Sequence, residues 1–171
     1  LAAHGYREVG QEYLQNVLDT AKQLDAYDSG RIYYYLGEYQ KAYLALDEAR
    51  DKGGADSYLY LGRAYAATGD YNYASSVYNN YLSKQGPNAE IYNELGLCEM
   101  AKKEYQNALA AFQAGKQIEG NSLMQTLCFN EIVAYEYLED YQQAEVLMNA
   151  YLQNYPDDQT AIREQQFLST R

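Results

Sequence analysis

The chain has no tryptophan, one histidine (His4), two cysteines (Cys98, Cys128) and two prolines in 171 residues. One imidazole and two thiols are too few for a His/Cys metal site or a disulfide framework. Cofactor loops are missing as well: neither G-x-x-x-x-G-K nor G-x-G-x-x-G occurs. A Ser/His/Asp or Cys/His constellation would have to use His4, close to a chain end. No catalytic residue, cofactor or metal is therefore expected. Basic residues are scarce too, 13 Lys and Arg against 24 Asp and Glu, giving a formal net charge of -11. That balance disfavours nucleic acid, whose phosphates need a basic face, and anionic lipid. No apolar run approaches the roughly 20 residues that span a bilayer. The chain opens on Leu1 with no targeting segment in view, so the compartment is not readable. A low thiol count suits the cytosol and a bacterial cell surface alike.

What is abundant is tyrosine, 22 residues, within a hydrophobic content of 47% that excludes a disordered tail. The tyrosines are periodic. A six-residue signature recurs as H-G-Y-R-E-V (4–9), G-E-Y-Q-K-A (37–42), G-D-Y-N-Y-A (69–74), K-E-Y-Q-N-A (103–108) and E-D-Y-Q-Q-A (139–144). Its tyrosines, Tyr6, Tyr39, Tyr71, Tyr105 and Tyr141, are spaced by 33, 32, 34 and 36 residues. Three positions on stands a compact residue (Val9, Ala42, Ala74, Ala108, Ala144); seven on, a large one (Tyr13, Leu46, Tyr78, Phe112, Met148). Offsets of 0, 3 and 7 share one helix face, so each signature predicts the opening of an amphipathic helix that another helix can approach closely.

A second helical pattern precedes four of the signatures, clearest at Tyr58, Leu61, Gly62 and Tyr65. Glycine inside a helix costs about 1 kcal/mol relative to alanine. Its recurrence at Gly30, Gly62 and Gly96 predicts a backbone contact that a side chain would block. Pro87 and Pro156 fall in links after second helices. No stretch alternates with period two, so no strand is expected.

The stretches 57–78 and 86–112 resemble the tetratricopeptide repeat consensus, and the resemblance recurs in register over nearly the whole chain. It implies an all-α fold, a right-handed solenoid of antiparallel helix pairs. Repeats are expected at 23–54, 55–88, 89–124 and 125–158. Residues 1–22 read as the second helix of a truncated repeat, and 159–171 as a terminal capping helix. There are departures: Glu99 stands where other copies have Tyr33, Tyr65 and Tyr135, and Glu131 and Ile132 replace the Leu61 and Gly62 of the second copy. The register of the first helix of repeat 4 is left open by its two extra residues.

The resemblance implies a non-catalytic module binding a peptide or protein segment in a concave groove lined by first helices. The alternative is a structural spacer or self-assembly unit with the groove unused. Groove-facing places would be Tyr27, Arg31, Tyr34 and Tyr35 in repeat 1, and Asp56, Leu59, Tyr60 and Arg63 in repeat 2. Repeat 3 would supply Glu90, Asn93, Glu94 and Leu97, and repeat 4 Phe129, Glu136 and Tyr137. Arg31 and Arg63 share one repeat position. They either converge to grip a carboxylate or phosphate bidentately, or pair with Asp28, Asp56 or Glu90. Some relatives capture a C-terminal carboxylate with Lys and Asn; those places hold Tyr27, Arg31, Tyr60, Asp56 and Glu94 here, so that clamp is absent. A helix over 5–21, presenting Tyr6, Val9 and Tyr13, would remain partly uncovered and support weak self-association through the N-terminal end. The aspartates before the last helix, Asp157 and Asp158, read as a helix cap.

Overall fold

The computed structural model describes residues 2–21, 23–50 and 52–171, with side chains from residue 8 onward. His4 and Tyr6 thus lie outside the described side chains. Among the described residues there are ten helices and no strand. None of the helices is long and apolar enough to cross a membrane. The chain divides into two compact units, Leu1–Tyr81 and Leu82–Arg171.

The first unit holds α1 (Ala2–Thr20), α2 (Ala26–Leu36), α3 (Tyr39–Glu48), α4 (Gly54–Ala67) and most of α5 (Tyr71–Gln85). The second holds α6 (Ala89–Ala101), α7 (Tyr105–Lys116), α8 (Met124–Tyr137), α9 (Tyr141–Asn154) and α10 (Gln159–Leu168). Four helices begin at a signature tyrosine: α3, α5, α7 and α9. The compact residues Ala42, Ala74, Ala108 and Ala144 are all fully buried, as are Leu46, Tyr78, Phe112 and Met148 one turn further on. Burying each of these large side chains contributes about 1.5–3 kcal/mol. On α1 the same offsets behave differently, for Val9 and Tyr13 are 66% and 68% exposed.

The recurrent glycines seat the large residues. A Cβ at Gly30 would meet the Leu46 side chain at 2.5 Å, one at Gly62 the Tyr78 ring at 2.3 Å, and one at Gly96 the Phe112 ring at 2.3 Å. The expected backbone contact is corrected: the nearest atoms belong to the partner helix's side chain, and only at Gly30 does a backbone atom, the Leu46 nitrogen at 3.2 Å, come close as well. In the fourth pair Ile132 replaces glycine and Met148 replaces the ring, and both lie in one core cluster. The unbranched Met fits where a ring would clash. Ile132 stands nine residues before Tyr141, as Gly62 does before Tyr71, so the extra residues are taken up in the link 117–123.

The turns inside the pairs are also alike. Gly37, Gly69, Lys103 and Glu139 all take positive φ, at 80°, 85°, 65° and 60°. In each turn that residue's N–H bonds the carbonyl three back, and the next N–H reaches the carbonyl five back, as in Glu38 to Tyr33 and Glu104 to Glu99. This doubly bonded helix stop turns the chain back on itself.

The departures have local partners. Glu99, only 6% exposed, pairs with Lys102 at 2.8 Å. Glu131, 5% exposed, pairs with Lys116 and accepts from Gln113 Nε2 at 2.9 Å. Asp158 caps α10, accepting from the backbone of Thr160 and Ala161, and the Tyr151 hydroxyl donates to it at 2.7 Å. Those bonds, Tyr151's foremost, hold the Asp158 carboxyl below its ordinary range. Both cysteines are free thiols; burial, aided by Glu94 and Glu99, pushes Cys98 up to about 12, which leaves it protonated and inert.

Candidate functional site

In the first unit, α2 and α4 pack on one another, and their side chains form a cluster around one cation. Asp25 starts α2 by accepting from the Asp28 backbone N–H at 2.8 Å. That fixes the helix on which Tyr27, Arg31, Tyr34 and Tyr35 recur at offsets of 4, 7 and 8. The Arg31 guanidinium carbon lies 5.2 Å from the Tyr27 ring centre and 5.3 Å from that of Tyr60, which α4 supplies. It is held between two π faces. Tyr34 meets Tyr35 and Tyr60 edge-on at 5.6 and 5.4 Å. The hydroxyls of Tyr35 and Tyr60 share a 2.6 Å hydrogen bond. Tyr27 donates to Asp56 at 3.4 Å.

The electrostatics follow from this packing. Burial, together with the Asp56 acceptor, pushes the Tyr27 phenol above its ordinary value while Arg31 pulls it down. The Tyr60 hydrogen bond, then burial, raises Tyr35. Burial by itself would lower Arg31, but Tyr27 and Tyr60 outweigh it and raise it. Among the described residues Arg31 forms no ion pair, and its Nε is buried with no hydrogen-bond partner. Tyr35 remains 53% exposed. The cluster therefore presents a fixed cation, framed by phenols, at a surface.

The remaining sequence candidates fall in several environments. Arg63 is half-buried one turn beyond Tyr60 and engaged by its own neighbours. Leu59 is a correction. It is 3% exposed, because α4 is covered by both α2 and α3 and buries Ser57 to Leu59 as a broad stripe. It offers a ligand no surface. In the second unit Asn93 is likewise a correction: it is 8% exposed and its Oδ1 accepts from Asn130 Nδ2 at 2.9 Å, a polar rung between α6 and α8. Glu90 is exposed, Glu94 half-buried and both are engaged, while Leu97 is 42% exposed. Phe129 packs edge-on to Tyr151 at 5.7 Å. Tyr137 stacks on Tyr105 at 5.0 Å and stays 58% exposed. Glu136 sits half-buried beside it, its carboxyl pushed up to about 7 by burial and then by Glu164.

Sequence reasoning missed the Lys116–Glu131 pair, which lines a cavity of about 310 Å³ with Cys128, Ile132, Leu147 and Tyr151. A lysine closing a second helix, fifteen residues before a glutamate at a core place, was the available signal.

Comparison with known proteins comes down to one family. The family model described as tetratricopeptide repeat matches residues 27–72 and 61–121. No curated protein matches the chain at a significant level. Among solved structures, MamA superposes with a TM-score of 0.72 at 19% identity, over 84% of this chain and 78% of that one. The MamA RS-1 ArsTM double mutant gives 0.72 at 18%, over 94% and 84%. The second TPR domain of human RPAP3, solved in complex with the HSP70 peptide SGPTIEEVD, gives 0.61 at 17%, over 69% and 97%. At these identities the likeness concerns the fold, an all-α array of helix pairs.

Proposed function

Because the chain belongs to the tetratricopeptide repeat family, whose domains mediate protein–protein interaction, we propose that it is a non-catalytic module that binds a peptide or protein segment. The first-unit cluster around Arg31 is the binding place, and repeats at 23–54, 55–88, 89–124 and 125–158 are the frame. The observation that carries the reading is Arg31 itself. It is a guanidinium held by two rings, free of any carboxylate partner among the described residues, beside the exposed Tyr35. Such a group suits a ligand carboxylate or phosphate flanked by an apolar side chain that rests on the tyrosines. The RPAP3 domain, solved with an acidic peptide, supports peptide capture on this fold without specifying where it occurs here. The test is capture of partners from a lysate of the source cells on immobilised chain, wild type against Arg31→Gln. The reading expects specific partners to be lost at unchanged thermal stability. Identical capture by both proteins contradicts it.

A second reading, self-assembly, has one observation of its own. Val9 and Tyr13 stand at places that are fully buried in the other signatures but are exposed on α1. That face suits a helix with a compact residue opposite Tyr13. Sedimentation of the chain and of Tyr13→Lys decides it: concentration-dependent association lost in the variant supports assembly, and a monomer at all concentrations contradicts it.

A further inference from the structure

A different cluster, wholly within the second unit, carries a cation-binding geometry. The C-terminal end of α8, the start of α9 and α10 meet around a notch of about 360 Å³ lined by Glu136, Tyr137, Glu139, Tyr141 and Phe167. Three of these are aromatic, and Tyr137 and Phe167 are 58% and 41% exposed. Beside the rings two carboxyl groups face one another within hydrogen-bonding reach, Glu136 on α8 and Glu164 on α10. The Oε1 of Glu136 is buried and has no hydrogen-bond partner. Two facing carboxylates repel unless a proton or a cation lies between them.

Two of the rings hold a cation of the chain itself. The Arg171 guanidinium carbon lies 4.5 Å from the Phe167 ring centre and 5.6 Å from that of Tyr141. It occupies the adjoining hollow, which Glu139, Asp140, Tyr141 and Glu145 line with it. The notch on the Glu136 side shares Tyr141 and Phe167, the rings that Arg171 meets, adds Tyr137, and has no Lys or Arg among its lining residues. Among the described residues no group of three or more metal-ligating side chains occurs. Glu136 and Glu139 line the notch and Glu164 faces Glu136, but they are not grouped as a divalent ion's oxygen set; carboxylates beside rings match an organic cation on an apolar stem.

We propose that the notch between α8 and α10 receives an arginine or lysine side chain of a partner segment, its charge on Glu136 and Glu164 and its stem against Tyr137 and Phe167. The occupant is a basic peptide, chosen by charge complementarity within a chain of net charge -11. The proposal rests on the reading of the chain as a binding module and adds a second site with the opposite charge preference to Arg31.

The experiment titrates the isotope-labelled full chain with acetyl-Gly-Gly-Arg-Gly-Gly-amide and with its neutral citrulline twin, following backbone NMR shifts. The expected result is saturable shifts on the end of α8 and on α10, with the citrulline peptide weaker by about tenfold. Glu136→Gln should weaken the arginine peptide by about fivefold or more while the fold holds, since it removes a strained charge. Phe167→Ala, at an exposed position, should also weaken the arginine peptide, and unchanged affinity in both variants overturns the inference. Equal affinity for the two peptides, or no saturable shift, overturns the inference. Those two outcomes leave the Arg31 reading standing; shifts confined to α2 and α4 overturn the inference and count against that reading too, since the peptide carries no acid for Arg31.

Discussion

A Cβ added to Gly62 would lie 2.3 Å from the ring of Tyr78, a side chain with no exposed surface. The ring cannot step aside, so the first helix of the pair must retreat. Gly62→Ala and Gly96→Ala should each cost about 1–3 kcal/mol, the overpacking penalty exceeding alanine's gain of about 1 kcal/mol in helix propensity. Gly10 on α1 has nothing within 4 Å of its Cβ position, and Gly10→Ala should stabilise by about 0.5–1 kcal/mol. Urea denaturation of the three variants checks the opposite signs; the same sign throughout would dissolve the account of the glycines.

The four turns within pairs differ in cost. Lys103 and Glu139 hold φ of 65° and 60°, a region that Gly37 and Gly69 enter without penalty. Lys103→Gly and Glu139→Gly should each stabilise the chain by about 0.5–1 kcal/mol, the relief of Cβ crowding exceeding the added freedom of the unfolded state. Thermal melts decide, and a fall in midpoint for both would show that the turns are not strained.

Lys116 neutralises Glu131, a carboxylate with 6% side-chain exposure. Lys116→Met should cost about 2–4 kcal/mol, tempered by Gln113, which still donates to the carboxylate. Adding Glu131→Leu should return stability to within about 1 kcal/mol of wild type, since an apolar pair needs no solvation. A single variant as stable as wild type would place the pair outside the energetics of the second unit.

Glu136 gives the pH dependence. Its carboxyl rises from 4.5 to about 7 in the folded chain, through burial first and the facing Glu164 second. The folded state therefore keeps a proton that the unfolded chain releases over that window. Stability should fall as pH rises from about 4.5 to 7, by about 1 kcal/mol once solvent screening of a half-exposed group is allowed for. In Glu136→Gln this component should vanish from a melting series between those pH values. An unchanged slope would mean that other groups set it.

The helix pairs were legible because the signature couples tyrosine, alanine and a large residue at one helical spacing; in all four pairs the alanine and the large residue are fully buried and the tyrosine is half-buried. The glycine seats were legible from their cost. Less could be read where the outcome depends on a contact between helices. Counting along α4 put Leu59 at a surface, but cover from two neighbouring helices widened the buried stripe to include it. Tyr60 is nearer to Arg63 in sequence, yet packing of α2 on α4 brings its ring to Arg31. Lys103 and Glu139 carry no sign in their identity of the left-handed backbone they adopt. The carboxyl pair of Glu136 and Glu164 joins helices 28 residues apart in number and belongs to no repeat position.

The central claim is that the chain is a binding module whose first unit holds its ligand at the Arg31 cluster. Hydrogen exchange of the full chain, alone and saturated with a captured partner, tests it most directly. The account predicts slowed exchange on α2 and α4, Ala26–Leu36 and Gly54–Ala67, and its loss in Arg31→Gln. Partner-induced protection that leaves both helices unchanged would contradict it.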